Sequence, residues 1–338
     1  MSCAARIALI GYGRIGSLHA RTIREHAPAL QVCVVADPQL SAREAGEAAG
    51  YTTTSDWQQA VERPDIDAVL IASATEMHAE QVIAAAAAGK AIFCEKPIAP
   101  ALADTDRALD AVARHGVPLQ VGFQRRFDPP LTALRDAVTE GAAGTPLLLR
   151  ISARDPEPPP PWYLRFPGGL YVDSAIHDLD TARFLLGEVV AISSRGVALF
   201  DQSAVDAGDV DTAVTTLHFA SGALGAIDNC RVSAAGFDQR IEVHGTGGTI
   251  MTQNMAAQGA VVARRSGITG PRNVDFFTQR YAQAYAAQFR SFADVIGGAA
   301  PAVTGADARA AFLLALAAER SRAENQPVTL PAVSPAST

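Results

Sequence analysis

The chain opens with a regular alternation of unbroken apolar runs and segments whose apolar positions recur at helical spacing. "RIALIG" reads as a buried strand, and the stretch from about Arg14 to His26 as an amphipathic helix. "VCVVAD" is a second strand, followed by a helix in "SAREAGEAAG" that stops at Gly50. "AVLIAS" with the Ala-rich "HAEQVIAAAAAG" repeats the unit, as does "AIFCE" with "LADTDRALDAVARHG", and "PLQVGF" adds a last strand. Runs of Val, Ile and Leu between helices predict a parallel sheet covered on both faces. The first part of the chain is therefore read as a doubly wound Rossmann domain over residues 1–122.

Beyond a linking helix near residues 128 to 140 the period changes. "PLLLRISAR", "VVAISSRGVALF", "DTAVTTLHFA", "GALGAIDNCRV" and "QRIEVHG" read as strands, and turns such as Ser221-Gly222 and Thr246-Gly247-Gly248 favour antiparallel pairing. "DPEPPPPWYLRFPGG" is a proline-rich loop, either a stiff wall over a site or a plain connection. A helix carrying Asp173 and His177 follows it, and two long helices near 276 to 297 and 304 to 324 close the pattern. The fold expected is α/β: an N-terminal doubly wound Rossmann domain, then a C-terminal α+β domain over 123–330 with a large, mainly antiparallel open sheet. Its last helix can pack back on the first domain, and residues 331–338 read as a frayed tail.

Composition narrows the function classes. Hydrophobic residues at 49 % allow a large core, and a net charge of −7 without a basic stripe argues against nucleic acid as a partner. No apolar run is long enough to span a membrane, and "MSCAARIALIGYGRIG" lacks the pattern of a signal peptide. Cys3, Cys33, Cys94 and Cys230 have neither zinc-ligand nor redox spacing, so they read as small buried hydrophobes. A cytoplasmic protein without a metal is expected.

Candidate chemistry gathers at the carboxyl ends of the first strands, where open α/β sheets bind ligands. Gly11-Tyr12-Gly13-Arg14-Ile15-Gly16 follows a strand and opens a helix, the context of a dinucleotide fingerprint. Gly11 permits a tight turn, Gly13 lets a pyrophosphate approach, and Gly16 lets helix and strand pack closely. Free N–H groups of Arg14, Ile15 and their neighbours then face the phosphates. The second strand ends in Asp37, whose carboxylate can accept ribose hydroxyls and repels a 2′-phosphate, so NAD is expected rather than NADP. Ser73, Ala74, Thr75 and His78 are placed to line the nicotinamide half, although His78 reads equally as a helix-capping or surface residue. Glu95-Lys96-Pro97 ends a further strand on the same edge, and Glu95 and Lys96 are read as cofactor contacts as well. Lys96 can orient a substrate hydroxyl and share in proton transfer, or simply snorkel from the strand end.

In "VDSAIHDLD", Asp173, His177 and Asp180 fall at i, i+4 and i+7 of a helix, beside an apolar face of Ala175, Ile176, Leu179, Ala182 and Leu186. Oxidising an alcohol requires a group that takes the hydroxyl proton while hydride leaves carbon, and an imidazole oriented by a carboxylate suits that task. Alone, such a pair is more often structural. Beside a dinucleotide site and Lys96 it reads as acid/base machinery.

Together the glycine loop, Glu95-Lys96-Pro97, and Gly168-Gly169 followed by Asp173 and His177 resemble the Gfo/Idh/MocA oxidoreductases over nearly the whole chain. "SARDPEPPPPWY", "VDSAIHDLDTARFLLG", "AGDVDTAVTTLHF", "GFDQRIEVHG" and "FFTQRYAQAYAAQF" are similar to segments of bacterial inositol 2-dehydrogenases. The resemblance implies a catalytic triad of Lys96, Asp173 and His177, with His177 as acid/base, and substrate hydroxyl contacts from Arg126 and Asp155. It also implies NAD-linked conversion of myo-inositol to its 2-keto form, and a homotetramer assembled through the second-domain sheets. One departure is Ala235-Gly236-Phe237, where the family pattern leads us to expect an aromatic hydroxyl. Its absence keeps another inositol isomer or a sugar open as substrate. A redox-neutral, NAD-retaining glycoside-processing enzyme and a cofactor-bound sensor without turnover are the other classes considered.

Overall fold

The computed structural model describes residues 4–165 and 168–331; Cys3, Phe166, Pro167 and all of the expected tail but Pro331 lie outside them. Two compact units result. The first takes the chain up to Phe127 together with Gln283–Ala310, and the second takes Asp128–Ala282 and the chain from Ala311.

Elements of the first unit alternate as expected: β1 (Ala5–Ile10), α1 (Arg14–His26), β2 (Leu30–Ala36), α2 (Leu40–Ala48), β3 (Thr52–Thr54), α3 (Trp57–Glu62), β4 (Ala68–Ile71), α4 (Thr75–Ala87), β5 (Ala91–Cys94), α5 (Leu102–His115) and β6 (Leu119–Val121). The strands form a parallel sheet in the order β3-β2-β1-β4-β5-β6. Its winding reverses at β1, between β2 and β4, which is where such sheets open a ligand crevice. Two elements lacked an apolar signal. β3 is three threonines on the sheet edge, and α3 is a short helix whose N-cap Asp56 accepts from Gln58 N–H at 2.9 Å. One face of the sheet packs Ile7, Leu9, Val35, Leu70 and Phe93 against Phe289, Phe292 and Val295, so the returning segment completes this core.

The second unit contains α6 (Pro129–Thr139), β7 (Pro146–Arg154), α7 (Ile176–Leu186), β8 (Val189–Val197), α8 (Gln202–Asp206), β9 (Thr212–Phe219), β10 (Leu224–Cys230), β11 (Asp238–Gly245), β12 (Gly248–Met251), β13 (Val262–Arg264), β14 (Gly267–Thr269) and α9 (Phe277–Arg280). α10 (Ala282–Ile296) and α11 (Gly305–Glu324) carry the chain through the first unit and back, and β15 (Val328–Thr329) ends the fold. Seven strands order as β12-β11-β7-β10-β9-β8-β15. β7 and β10 run parallel, and every other neighbouring pair is antiparallel, as a mainly antiparallel sheet requires. In β9 the side chains of Ala213, Thr215, Leu217 and Phe219 are buried while Val214, Thr216 and His218 are exposed, so the sheet has one covered and one open face.

Two expectations need correction. The helix expected near 276 to 297 is broken at Tyr281, where Arg280 forks onto Asp128 at 2.8 and 2.7 Å and the Tyr281 ring packs edge-on to Phe237. A buried two-point ion pair fixes Arg280 at that place and so favours a stop there over a continuous helix. The exposed hairpin β13–β14 was also unforeseen, because none of its positions is buried and the pattern of apolar residues carries no strand signal. Among the described residues no helix is long and apolar enough to cross a membrane.

Thr304 and Asp307 close a capping box at the start of α11: Thr304 N–H donates to the Asp307 carboxylate at 3.0 Å, and Asp307 N–H donates to the Thr304 hydroxyl at 3.1 Å. Arg126 Nη2 donates to the same carboxylate at 3.1 Å. Burial pushes the Asp307 pKa up, but the Arg126 charge and the Thr304 hydrogen bonds outweigh it and hold the group below its ordinary value. A depressed folded-state pKa stabilises the fold above the unfolded value of about 4 and ceases to do so as pH falls through the folded value. Asp307→Asn should therefore lower the urea midpoint at pH 7, and its deficit against the parent should close as pH falls below about 4. A deficit independent of pH would show that the Asp307 charge contributes nothing.

Candidate active site

The glycine loop is built by two backbone approaches. Gly11 has φ +90°, and a Cβ there would come within 2.5 Å of the Ala72 carbonyl oxygen. A Cβ at Gly16 would overlap the Gly11 carbonyl oxygen, so α1 can start this close to β1 only without one. Gly13 is different. Its backbone (φ −73°, ψ −160°) suits any residue, it is exposed, and no protein atom lies within 4 Å of where its Cβ would be. Neither strain nor packing accounts for a glycine there, and the space beside it is open to a ligand. It stands at the N-terminus of α1, which has no side-chain cap, so the N–H groups of Arg14, Ile15 and Gly16 face the place a pyrophosphate would take.

Asp37 follows β2 and is nearly buried. Its carboxylate accepts Tyr12 N–H at 2.7 Å and Gln39 N–H at 2.9 Å, which ties the glycine loop to the end of β2. A carboxylate has about four acceptor positions, and these two bonds use half of them. Ser73, Ala74 and Thr75 bridge the end of β4 and the start of α4, with Ser73 Oγ donating to buried Gln81 at 2.7 Å. His78, expected beside the cofactor, lies in the first turn of α4 and is buried. Its ring nitrogens reach the carbonyl oxygens of Pro97 at 2.9 Å and Ser73 at 3.1 Å. Burial depresses its pKa despite those bonds, and a neutral ring donates to one carbonyl at a time. Glu95 turns its carboxylate inward onto His19 at 2.7 Å, while the neighbouring Lys96 is half-buried and precedes a cis peptide bond to Pro97.

In the second unit the helix bearing the acid/base candidates is not uniform. Tyr171–Ala175 is a π turn, and α7 begins only at Ile176. The single α-helical stripe expected for Asp173, His177 and Asp180 is thus corrected: Asp173 lies in the wider turn, Asp180 is buried, and Asp173 and His177 are half-buried. Such turns are frequent where a side chain must be re-aimed. Buried polar groups anchor the helix start. Asp209 accepts Leu170 N–H at 2.9 Å, and a Cβ on Gly169 would come 2.5 Å from that carboxylate oxygen. Asp209 is paired in turn with fully buried Arg231 at 3.1 Å. One turn on, buried Asn229 donates to Asp178 at 2.7 Å, fixing the residue next to His177. Tyr163 of the proline-rich loop donates its hydroxyl to Asp173 at 2.9 Å, so that loop touches the candidate site.

Of the two residues assigned to substrate by resemblance, Arg126 is nearly buried and pairs with Asp307, and Asp155 extends β7, its N–H bonding to Cys230 O at 2.9 Å. Sequence reasoning missed Asp209, Arg231 and Asn229, whose partners lie tens of residues away. It also missed His19, for which a signal existed, a histidine on the buried face of α1, and it placed Tyr163 only in the proline-rich loop without a role of its own.

These glycines are separable by experiment. Gly13→Ala should fold with an unchanged melting temperature yet bind NAD at least tenfold more weakly, whereas Gly16→Ala should melt several degrees lower before any ligand is added. Calorimetry of both variants decides it, and a destabilised Gly13→Ala with intact NAD affinity would refute the assignment.

Residues 5–123 match the family described as "Oxidoreductase family, NAD-binding Rossmann fold", and residues 131–251 match "GFO/IDH/MocA C-terminal domain". The chain is 42 % identical over 328 residues to a myo-inositol 2-dehydrogenase of Thermotoga maritima, covering 96 % of this chain and 98 % of that one. It is 41 % identical to an inositol 2-dehydrogenase of Rhizobium meliloti, covering 96 % and 99 %. A scyllo-inositol dehydrogenase from Lactobacillus casei, solved with bound NAD(H) and scyllo-inositol, superposes with a TM-score of 0.90 at 25 % identity over 96 % of this chain and 99 % of that one. With an NAD-binding Rossmann unit and the matching C-terminal unit in one chain, this protein belongs to the Gfo/Idh/MocA family of oxidoreductases.

Proposed function

We propose that this chain oxidises the 2-hydroxyl of a cyclic polyol, myo-inositol to scyllo-inosose, with NAD as cofactor. The observation that carries this reading is similarity above 40 % through both units to proteins named for inositol oxidation, in a chain that keeps Lys96, Asp173 and His177. Gly11, Gly13, Arg14, Ile15, Gly16 and Asp37 hold the adenosine and pyrophosphate half. Ser73, Ala74, Thr75 and Lys96 face the nicotinamide half, with His78 and Glu95 supporting them from within the unit. Bound NAD supplies the hydride acceptor. His177 takes the hydroxyl proton as the hydride leaves carbon, Asp173 orients the imidazole, and Lys96 polarises the alcohol oxygen. Arg126 and Asp155 bind the remaining hydroxyls. An open sheet face carrying Arg150, Val214 and Leu224 supports assembly into a homotetramer, and the free thiols of Cys33, Cys94 and Cys230 support a reducing, cytoplasmic setting.

A second reading, another inositol isomer or a sugar as substrate, rests on Phe237. Its ring is buried against Tyr281 at 6.0 Å, so this segment offers no aromatic hydroxyl. Incubation with NAD and a panel of inositols and sugars separates the readings. Steady NADH formation fastest with myo-inositol supports the first; preference for another polyol supports the second; product without net NADH would replace both with a redox-neutral reaction.

His177→Ala should cut turnover by at least a hundredfold while the NAD dissociation constant stays within about twofold, a loss typical of general acid–base groups. Parallel loss of NAD affinity would contradict the proton-transfer role. Asp37→Ser should weaken NAD and relax the preference against NADP, as measured by the ratio of kcat/KM for the two cofactors. An unchanged ratio would show that Asp37 does not read the ribose.

A further inference from the structure

Around Glu95 three elements of the first unit converge on one carboxylate. His19, from the middle of α1, is fully buried and brings Nε2 within 2.7 Å of Glu95 Oε1. Its ring stands among Phe93, Tyr285 and Phe289, with centroids 5.9, 5.6 and 4.9 Å away. The other oxygen of Glu95 accepts the N–H of Lys96 at 3.2 Å. Gly122, just past β6, leaves the carboxylate its space: a Cβ there would come within 2.8 Å of Oε1 and 2.9 Å of Oε2. Among the described residues Nδ1 of His19 has no hydrogen-bonding partner within its aromatic nest, so Nε2 is the ring nitrogen through which His19 engages Glu95.

A glutamate adjacent to a candidate catalytic lysine would ordinarily point to solvent or to ligand. Here it points inward, onto His19 of α1, the helix whose first turn carries the glycine loop. On the other side of Lys96, His78 reaches the Pro97 carbonyl, so the backbone is gripped at the residue before the lysine and at the residue after it.

The geometry points to His19 and Glu95 as positioning residues: the buried pair, in the space left by Gly122, holds the Lys96 main chain in the orientation from which its ammonium acts. Neither side chain touches substrate in this role. The inference rests on the reading of Lys96 as catalytic. It adds a mechanical link between the cofactor helix α1 and the lysine loop.

Four variants test it: His19→Leu removes the donor, His19→Gln restores an N–H donor, Gly122→Ala displaces the carboxylate from the opposite side, and Glu95→Gln keeps size while turning one acceptor into a donor facing Lys96 N–H. NAD affinity by titration calorimetry, melting temperature, kcat and KM are measured for each, with Lys96→Ala alongside. Displacement of a catalytic group by about 1 Å can cost on the order of 100-fold in rate. The expected result is a kcat lowered at least tenfold in His19→Leu, Gly122→Ala and Glu95→Gln, NAD affinity within about threefold of the parent, and recovery of most of the rate in His19→Gln. Should His19→Leu fail to fold, the isosteric Glu95→Gln decides. An unchanged kcat in a folded Glu95→Gln or His19→Leu, with Lys96→Ala inactive, overturns the positioning role alone. So does a rate loss matched by lost NAD affinity. Near-parental turnover in Lys96→Ala instead overturns the reading of Lys96 on which the inference stands.

Discussion

The closest contact the fold depends on is between backbones: α1 begins where its Gly16 Cα faces the carbonyl oxygen of Gly11, with no room for even a methyl group. That approach sets the angle at which α1 leaves β1, and with it the direction of the uncapped N–H groups at its start. The same helix carries His19 deeper into the unit, onto Glu95. Asp37, reached through Tyr12 N–H, is tied to the same loop from the neighbouring strand. The glycine loop, Asp37 and the Glu95-Lys96 loop are therefore one hydrogen-bonded object rather than three independent motifs.

The second unit solves a comparable problem with charge. Gly169 leaves room for Asp209 to take a backbone N–H at the helix start, and buried Arg231 pairs with that carboxylate at 3.1 Å. Around this anchor the helix widens into a π turn before it settles into α geometry. Asp173 is thereby presented from a wider turn than His177, with Tyr163 on its carboxylate.

Much of the first sheet was legible because parallel strands buried on both faces must be written as unbroken apolar runs, because Gly11 and Gly50 mark turns that other residues resist, and because Gly16 marks a close approach of helix and strand. β3 was not, since three threonines at an edge satisfy β geometry without any apolar run. The strand–turn pattern of the second sheet was legible in the same way. The π turn was not, because no local spacing records it. Among the candidate site residues, side-chain type and strand-end position were readable from sequence. Which way Glu95 and His78 turned was not, since that depends on His19 and on the carbonyls of Ser73 and Pro97.

The segment 283–310 fills the first core with Phe289, Phe292 and Val295, although the rest of that core is encoded before residue 128. During synthesis the N-terminal sheet must therefore wait, with the apolar faces of Leu9 and Phe93 uncovered, until residues 128–282 of the second unit have left the ribosome. A gene fragment ending at the apparent domain boundary would deliver an unfinished core, and any attempt to exchange cofactor modules between relatives has to move two separated pieces of chain as a set.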